Sequence, residues 1–431
     1  MDRDSRPKVS VILVTYNQSR FLARAISSLL GQSFRDFELI VVDDCSPDGS
    51  GALAERLTQG TGARVVRHAS NVGQYQTYNR SLPLARGEYV LFASGDDVNA
   101  PDLLAREVAA LERNPGAGMA FANVLLVDEN DHVIRDLAAL QAHTMPWLRQ
   151  DYVQSGVVEL ARLLNENYVV CIGCVMMRRA SLESLGGWDE TMPQAADWDL
   201  WLRFASRYDV AYVAEPLVGW RQHADTVTSR LRRSGRYYED NVRVLQKALA
   251  NLPAGAEHLA ARGPELLGRA HLAAGFADIA AGRAESGRAR MATAAALHPG
   301  LLGEREEVVD LLCRHGVSLL DPRQPSAQVV AYVDRTFACL PVQQAWWPAR
   351  RDECCAQALW AAAGQARAQG DRGAVRRHVV AAGLLNPRAA MPRELLVNVP
   401  AFLPLGNQLL SLYRRARARR APSALARSLQ G

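Results

Sequence analysis

Hydrophobic positions in the first hundred residues follow two alternating periods. The runs at 9–14 (VSVILV), 37–44 (FELIVVDD), 63–68 (ARVVRH) and 88–97 (EYVLFASGDD) are short and rich in apolar and β-branched residues, and each predicts a strand. Between the first two, residues 19–32 put Phe21, Leu22, Ala25, Ile26, Leu29 and Leu30 on one helical face, and Gly31 ends the helix. Residues 50–59 and 74–85 predict two further helices. Strands separated by helices imply an α/β fold with a mostly parallel sheet, which binds ligands beyond the carboxyl ends of its strands. Tyr16, Asn17, Asp43, Asp44, Asp96 and Asp97 all fall at such ends. Acids gathered on one sheet edge repel each other unless a cation or a donor-rich ligand offsets them.

Beyond about residue 240 the pattern turns to helix rich in Ala and Arg. Shifting the chain by 88 residues lays LAAGFADIAAGRAESGRARMATAAALHP over WAAAGQARAQGDRGAVRRHVVAAGLLNP without a gap. Ala274/Ala362, Ala280/Ala368, Gly282/Gly370, Arg288/Arg376, Leu297/Leu385 and Pro299/Pro387 coincide. Each copy reads helix, Gly turn, helix, Pro stop, a hairpin resembling a tetratricopeptide unit. Segments 304–316 and 326–340 supply further helices for the hairpins to pack against.

Composition adds a division of charge. Residues 1–230 hold 22 Lys+Arg against 29 Asp+Glu, and residues 231–431 hold 28 against 16. The basic half suits an anionic neighbour; alternatively it reflects a general preference for Arg, which makes up 48 of the 50 basic residues. The tail 395–431 has six Arg and no acid, and LLSLYRRARARR suits either a peripheral contact with anionic lipid or a solvated tail. The first apolar run is too short for a signal peptide, and no stretch reaches the ~18 apolar residues of a membrane span. Seven cysteines, an odd number, argue against a disulfide framework, and Cys171 and Cys174 read as core residues in VVCIGCVMM. A cytoplasmic protein, or one peripheral to the inner face of the plasma membrane, is expected.

The run VSVILVTYNQSRFLARAISSLLGQSFRDFELIVVDDCSPDGS is followed in order by NVG, SGDD, GGWDE, DWDLWLR and WRQH. Together they resemble family-2 glycosyltransferases over residues 8–230. The resemblance implies a GT-A fold, a nucleotide-sugar donor and a divalent metal, Mn²⁺ or Mg²⁺. It implies that Tyr16 stacks on the base and that Asp44 accepts a ring N–H, with Asn17, Asn71, Gly73 and Asn79 alongside. Asp96 becomes the direct metal ligand with Asp97 beside it, although Ser94 stands where the family pattern has its first Asp. A carboxylate-held cation offsets charge growing on a diphosphate leaving group. His223 is either a further metal ligand or an ordinary histidine, and Arg221 suits the diphosphate. Gly187, Trp188 and Asp189 suit sugar hydroxyls. Asp197 becomes the base, at the start of a helix with one apolar face, although Ala196 replaces the usual Glu. Each of these acids also suits a helix cap or a turn, and the order of the motifs favours the site.

The expected organisation is a GT-A domain over 8–235, a helical region with tetratricopeptide-like hairpins over 236–394, and a basic tail over 395–431. The expected activity is inverting transfer from a nucleotide-sugar, UDP favoured, to an acceptor hydroxyl. Acceptors in surface-polysaccharide, lipid-linked glycan or glycoprotein assembly all suit it, and the helical region offers a surface to a protein partner. The alternatives are a scaffold with a decayed catalytic domain and a sugar-phosphate nucleotidylyltransferase. No P-loop or GxSxG elbow occurs, and GAG at 116–118 precedes a strand, contrary to a dinucleotide fingerprint. No aromatic-interleaved basic motif points to nucleic acid.

Overall fold

The runs at 9–14 and 37–42 become neighbouring parallel strands because both of their faces are covered, which suits unbroken apolar sequence. A computed structural model describes residues 6–142, 144–223, 238–303, 305–341 and 347–386. Its sheet has ten strands: β1 (Val9–Thr15), β2 (Phe37–Asp43), β3 (Arg64–Arg67), β4 (Tyr89–Ser94), β5 (Val98–Asn99), β6 (Ala117–Val127), β7 (Val133–Asp136), β8 (Tyr152–Gln154), β9 (Val175–Arg178) and β10 (Asp209–Arg221). They lie in the order β3-β2-β1-β4-β9-β6-β10-β5, with β7 on β6 and β8 on β10.

Strands β3, β2, β1 and β4 are parallel, as are β6 and β10. β9 is antiparallel to both β4 and β6, so it joins two parallel groups that run in one direction. Six strands therefore finish on a single edge, at Thr15, Asp43, Arg67, Ser94, Val127 and Arg221. The register brings Thr15 opposite Asp43 and Val14 opposite Ser94.

Among the described residues eight α-helices accompany the sheet: α1 (Ser19–Leu30), α2 (Ser50–Thr58), α3 (Gln74–Ser81), α4 (Leu103–Arg113), α5 (Leu137–Gln141), α6 (Gly156–Asn165), α7 (Arg179–Ser184) and α8 (Ala196–Ala205). α1 buries Phe21, Leu22, Ala25, Ile26 and Leu29, as its spacing predicts. The helix expected over 74–85 stops at Ser81 and tightens into a 3₁₀ turn at Leu82–Leu84, where Pro83 has no N–H to continue an α-helical ladder. VVCIGCVMM divides likewise into a 3₁₀ turn (Ile172–Cys174) and β9, and both cysteines are buried free thiols.

The chain divides into two compact units; among the described residues, those up to 223 with 250–259 form the first, and 238–249 with 260–386 the second. The expected boundary at 235–236 lies outside the described residues, as does the basic tail. The second unit is all helix, and helices Arg305–His315 and Ser326–Ala338 occupy the two segments predicted. Both copies of the repeat form helix pairs, Gly263–Ala280 with Ala284–Leu297 and Trp347–Ala368 with Arg372–Leu385. Their turns use Gly282 and Gly370 at φ +82° and +75°, a left-handed conformation that explains the shared glycine. Phe276, Met291, Leu312, Tyr332 and Leu359 meet in the core of this unit. Among the described residues no helix is long and apolar enough to cross a membrane.

Candidate functional site

The loops after β1 and β2 are bound to each other. Ser46 Oγ accepts from the Asn17 N–H at 3.1 Å, Ser50 Oγ from Gln18 at 3.2 Å and Asp48 from Ser19 at 2.9 Å. These bonds shape the polar turn SPDGS and hold Tyr16, which is half-buried, and Asn17, which is exposed with φ +56°. Asp44 is 2% exposed. Its N–H donates to the Thr15 carbonyl at 3.0 Å, and its carboxylate accepts from Val72 N (3.0 Å), Gly73 N (2.9 Å) and His68 Nδ1 (2.9 Å). Asp44 thus ties the Asn71–Val72–Gly73 corner to the end of β1, with most of its lone-pair capacity used inside the protein. Tyr16, Asn17, Asp44, Asn71 and Gly73 come together at this end.

A second cluster follows β4. Ser94 Oγ donates to Asp96 Oδ1 at 2.5 Å and accepts from Gln18 Nε2 at 3.3 Å. The other oxygen of Asp96 lies 3.1 Å from His223 Nε2. Asp97 is buried below, accepting from the Arg221 N–H at 2.9 Å and facing Cys171 Sγ at 3.8 Å. Burial, then the adjacent Asp96 charge, hold its carboxyl well above the usual range. Arg221 is 2% exposed, and its guanidinium donates to the carbonyls of Asp96 (2.7 Å) and Asp128 (2.8 Å) and pairs with Asp131. The cation expected at a diphosphate therefore braces the acidic turn from beneath.

A hard divalent cation fits the pair Asp96 and His223, a carboxylate oxygen and an imidazole nitrogen on one side of the turn. Among the described residues no group of three or more His, Cys, Asp or Glu gathers at one point. A cation there would rest on two side chains and take its remaining ligands from substrate and water, as Mg²⁺ commonly does.

The third cluster surrounds α8. Gly186 and Gly187 have φ +81° and +73°, and a Cβ on Gly187 would lie 2.6 Å from Asn79 Oδ1. Only glycine admits that approach, and it lets Asn79 bond both the N–H and the carbonyl of Trp188 at 2.9 Å. Trp188 is buried among Tyr75, Tyr78, Phe92 and Trp201, with ring centroids 5.3–5.7 Å away. Its ring packs α3, β4 and α8 together. Asp189 closes its own turn by accepting from the N–H and Oγ1 of Thr191.

Asp197 stands in the first turn of α8, half-buried. Burial raises its carboxyl to about 6, opposed by donors from the Trp198 N–H and the Asn167 side chain. Asn167 and Cys171, which touch Asp197 and Asp97, are four residues apart, at most about 14 Å of extended chain. One short segment thus spans from the helix bearing Asp197 to the acidic turn. Asn167, His68 and Gln18 carry no motif in the sequence, and only their partners single them out.

The sequence model of glycosyl transferase family 2 matches residues 10–186. An uncharacterized protein of Mycobacterium tuberculosis is 31% identical over 244 residues, covering 56% of this chain and 75% of its own length. EpsE of Bacillus subtilis is 29% identical over 254 residues, 58% of this chain and 84% of its own. The chain belongs to glycosyl transferase family 2. Its activity is therefore glycosyl transfer. The crystal structure of S. aureus TarS 1-349 resembles this one with a TM-score of 0.50 and 16% identity, over 84% of this chain and 92% of that one, a likeness of fold that supports the GT-A assignment. Trp188, Asp197, Arg221 and His223 lie beyond the span that the family model matches.

Proposed function

We propose that the protein is an inverting glycosyltransferase that moves a sugar from a nucleotide-sugar, UDP favoured, to an acceptor hydroxyl, with Asp197 as base. The observation that carries this reading is a half-buried carboxylate, raised to about 6, joined to the acidic turn by one short segment. A base of that pKa is largely ionised at neutral pH yet still accepts a proton readily. As the acceptor oxygen bonds the anomeric carbon, the bond to the diphosphate oxygen breaks on the opposite face and the hydroxyl proton passes to Asp197.

Asp96 and His223 would hold a divalent cation, Mn²⁺ or Mg²⁺, which when bound offsets charge on the diphosphate. Tyr16 offers its ring to the base. Because Asp44 already accepts four hydrogen bonds from three protein donors, we infer that it serves the nucleotide by fixing the Asn71–Gly73 corner. Acceptors in surface-polysaccharide, lipid-linked glycan or glycoprotein assembly suit the chemistry, and the tetratricopeptide-like hairpins suit a protein partner.

The test is a thermal-shift screen of UDP- and GDP-sugars with and without Mn²⁺. A ligand bound only by the folded chain raises its melting temperature with occupancy. A Mn²⁺-dependent rise with a UDP-sugar, followed by UDP release on incubation, is expected. No rise with any donor would favour the scaffold reading.

A further inference from the structure

The start of α1 touches both side chains that would hold the cation. Gln18, the residue before the helix, donates from Nε2 to Ser94 Oγ at 3.3 Å, and that hydroxyl donates to Asp96 at 2.5 Å. Phe21, three residues on, stacks at a tilt on His223 with ring centroids 5.0 Å apart, and Arg221 Cζ lies 4.8 Å from the same ring. Gly95 admits the close approach, since a Cβ there would lie 2.7 Å from Gln18 Oε1 and 2.8 Å from Thr15 Oγ1. The Gln18 side chain has no part in capping α1. Its Oε1 is buried without a hydrogen-bond partner, a cost that an apolar side chain would avoid. What the amide contributes is the bond to Ser94. Tyr16 and Asn17 immediately precede this turn. The backbone N–H groups of Asn17, Gln18 and Ser19 tie the whole stretch to the loop after β2. A base resting on Tyr16 therefore restrains the short piece of chain that carries Gln18 and Phe21.

We propose that Gln18 and Phe21 are positioning residues that link the two ends of the donor site, so that a nucleoside seated on Tyr16 strengthens cation binding at Asp96 and His223 without touching the cation. The inference rests on those roles of Tyr16, Asp96 and His223. Gln18 acts on Asp96 through Ser94, and Phe21 acts on His223 through its ring. Restraining the turn from the nucleoside side lowers the ordering cost of binding on the cation side, and linkage makes the effect reciprocal.

The test titrates the full chain with Mn²⁺, read by electron paramagnetic resonance, with and without saturating uridine or guanosine, whichever raises its melting temperature more. A nucleoside has no diphosphate to bridge to the cation, so the coupling must pass through the protein. In the wild type the nucleoside is expected to tighten Mn²⁺ binding by about fivefold or more. Gln18→Leu and Phe21→Leu, which keep apolar bulk at the turn, are expected to retain the nucleoside's melting shift and to lose the tightening. A purely structural role would weaken Mn²⁺ binding in a variant yet leave the ratio between its two titrations unchanged. Equal Mn²⁺ affinity with and without nucleoside in the wild type, or full tightening in both variants, would overturn the proposal. Two other results would instead remove the reading beneath it. No Mn²⁺ binding by the wild type under either condition would take the cation from this turn, and no melting shift with either nucleoside would take the base from Tyr16.

Discussion

His223 reaches back 127 positions to set its Nε2 3.1 Å from Oδ2 of Asp96. Both side chains are nearly buried, at 8% and 12% exposure, so the pair is already in place before any substrate arrives. Asp96→Asn and His223→Ala are each expected to weaken Mn²⁺ binding by the full chain at least about tenfold. Ser94→Ala should act in the same direction but more weakly, since it removes only the hydroxyl that orients Asp96. Titration followed by Mn²⁺ electron paramagnetic resonance measures this without donor present. Unchanged affinity in all three variants would remove the metal from this turn.

Asp197 makes a prediction in two observables. A base must be ionised, so turnover should rise with pH through about 6 and flatten above it. Asp197→Asn is expected to lower the rate by about 10²–10⁴-fold while leaving the donor-linked melting shift intact. The raised value also means that the folded chain holds this proton more tightly than the unfolded one. The stability that this contributes is complete below about pH 4 and is lost as pH climbs to about 6. Asp197→Asn should therefore melt a few degrees higher than the wild type at pH 8 and no higher at pH 4.

The proposed role of Asp44 runs through a loop. Replacing it with Ala releases Val72, Gly73 and His68 together. The donor KM is expected to rise about tenfold with kcat little changed, the pattern of lost uniform binding. A fall in kcat at constant KM would place Asp44 closer to the reaction itself.

Glu107 tests the core. It lies on α4, fully buried, with neither carboxyl oxygen hydrogen-bonded, and burial holds its carboxyl well above the usual range. Glu107→Met, of similar length and apolar, is expected to stabilise the protein by about 1–3 kcal/mol. Urea unfolding measures it, and a destabilised variant would mean that the carboxyl has a partner in solution.

The strand ends were legible because apolar runs and their terminal acids obey short-range rules. Asp44, Asp96 and Asp97 could be placed on one edge from periodicity alone, and α1 buries five of the six residues that its spacing picked out. The reversed strand β9 left no such trace, since four residues following a 3₁₀ turn look the same whichever way they run. The aim of a side chain was also hidden. Arg221 ends β10 like a ligand-facing residue, yet its guanidinium points inward to the 128–131 turn, 90 to 93 positions away in sequence. Asn167, His68 and Gln18 depend on partners 24 to 76 positions distant, and no local pattern marks them.

The edge-on contact of Trp188 with Trp201, at 5.7 Å, gives the molecule a built-in optical gauge. One indole belongs to the glycine-rich loop and the other to α8, the helix whose first turn carries Asp197. A small rotation between those two bodies would change how the rings quench or couple. Emission recorded while a nucleotide-sugar is added, with a Trp188→Phe chain as the blank, then reports without a label whether that spacing changes.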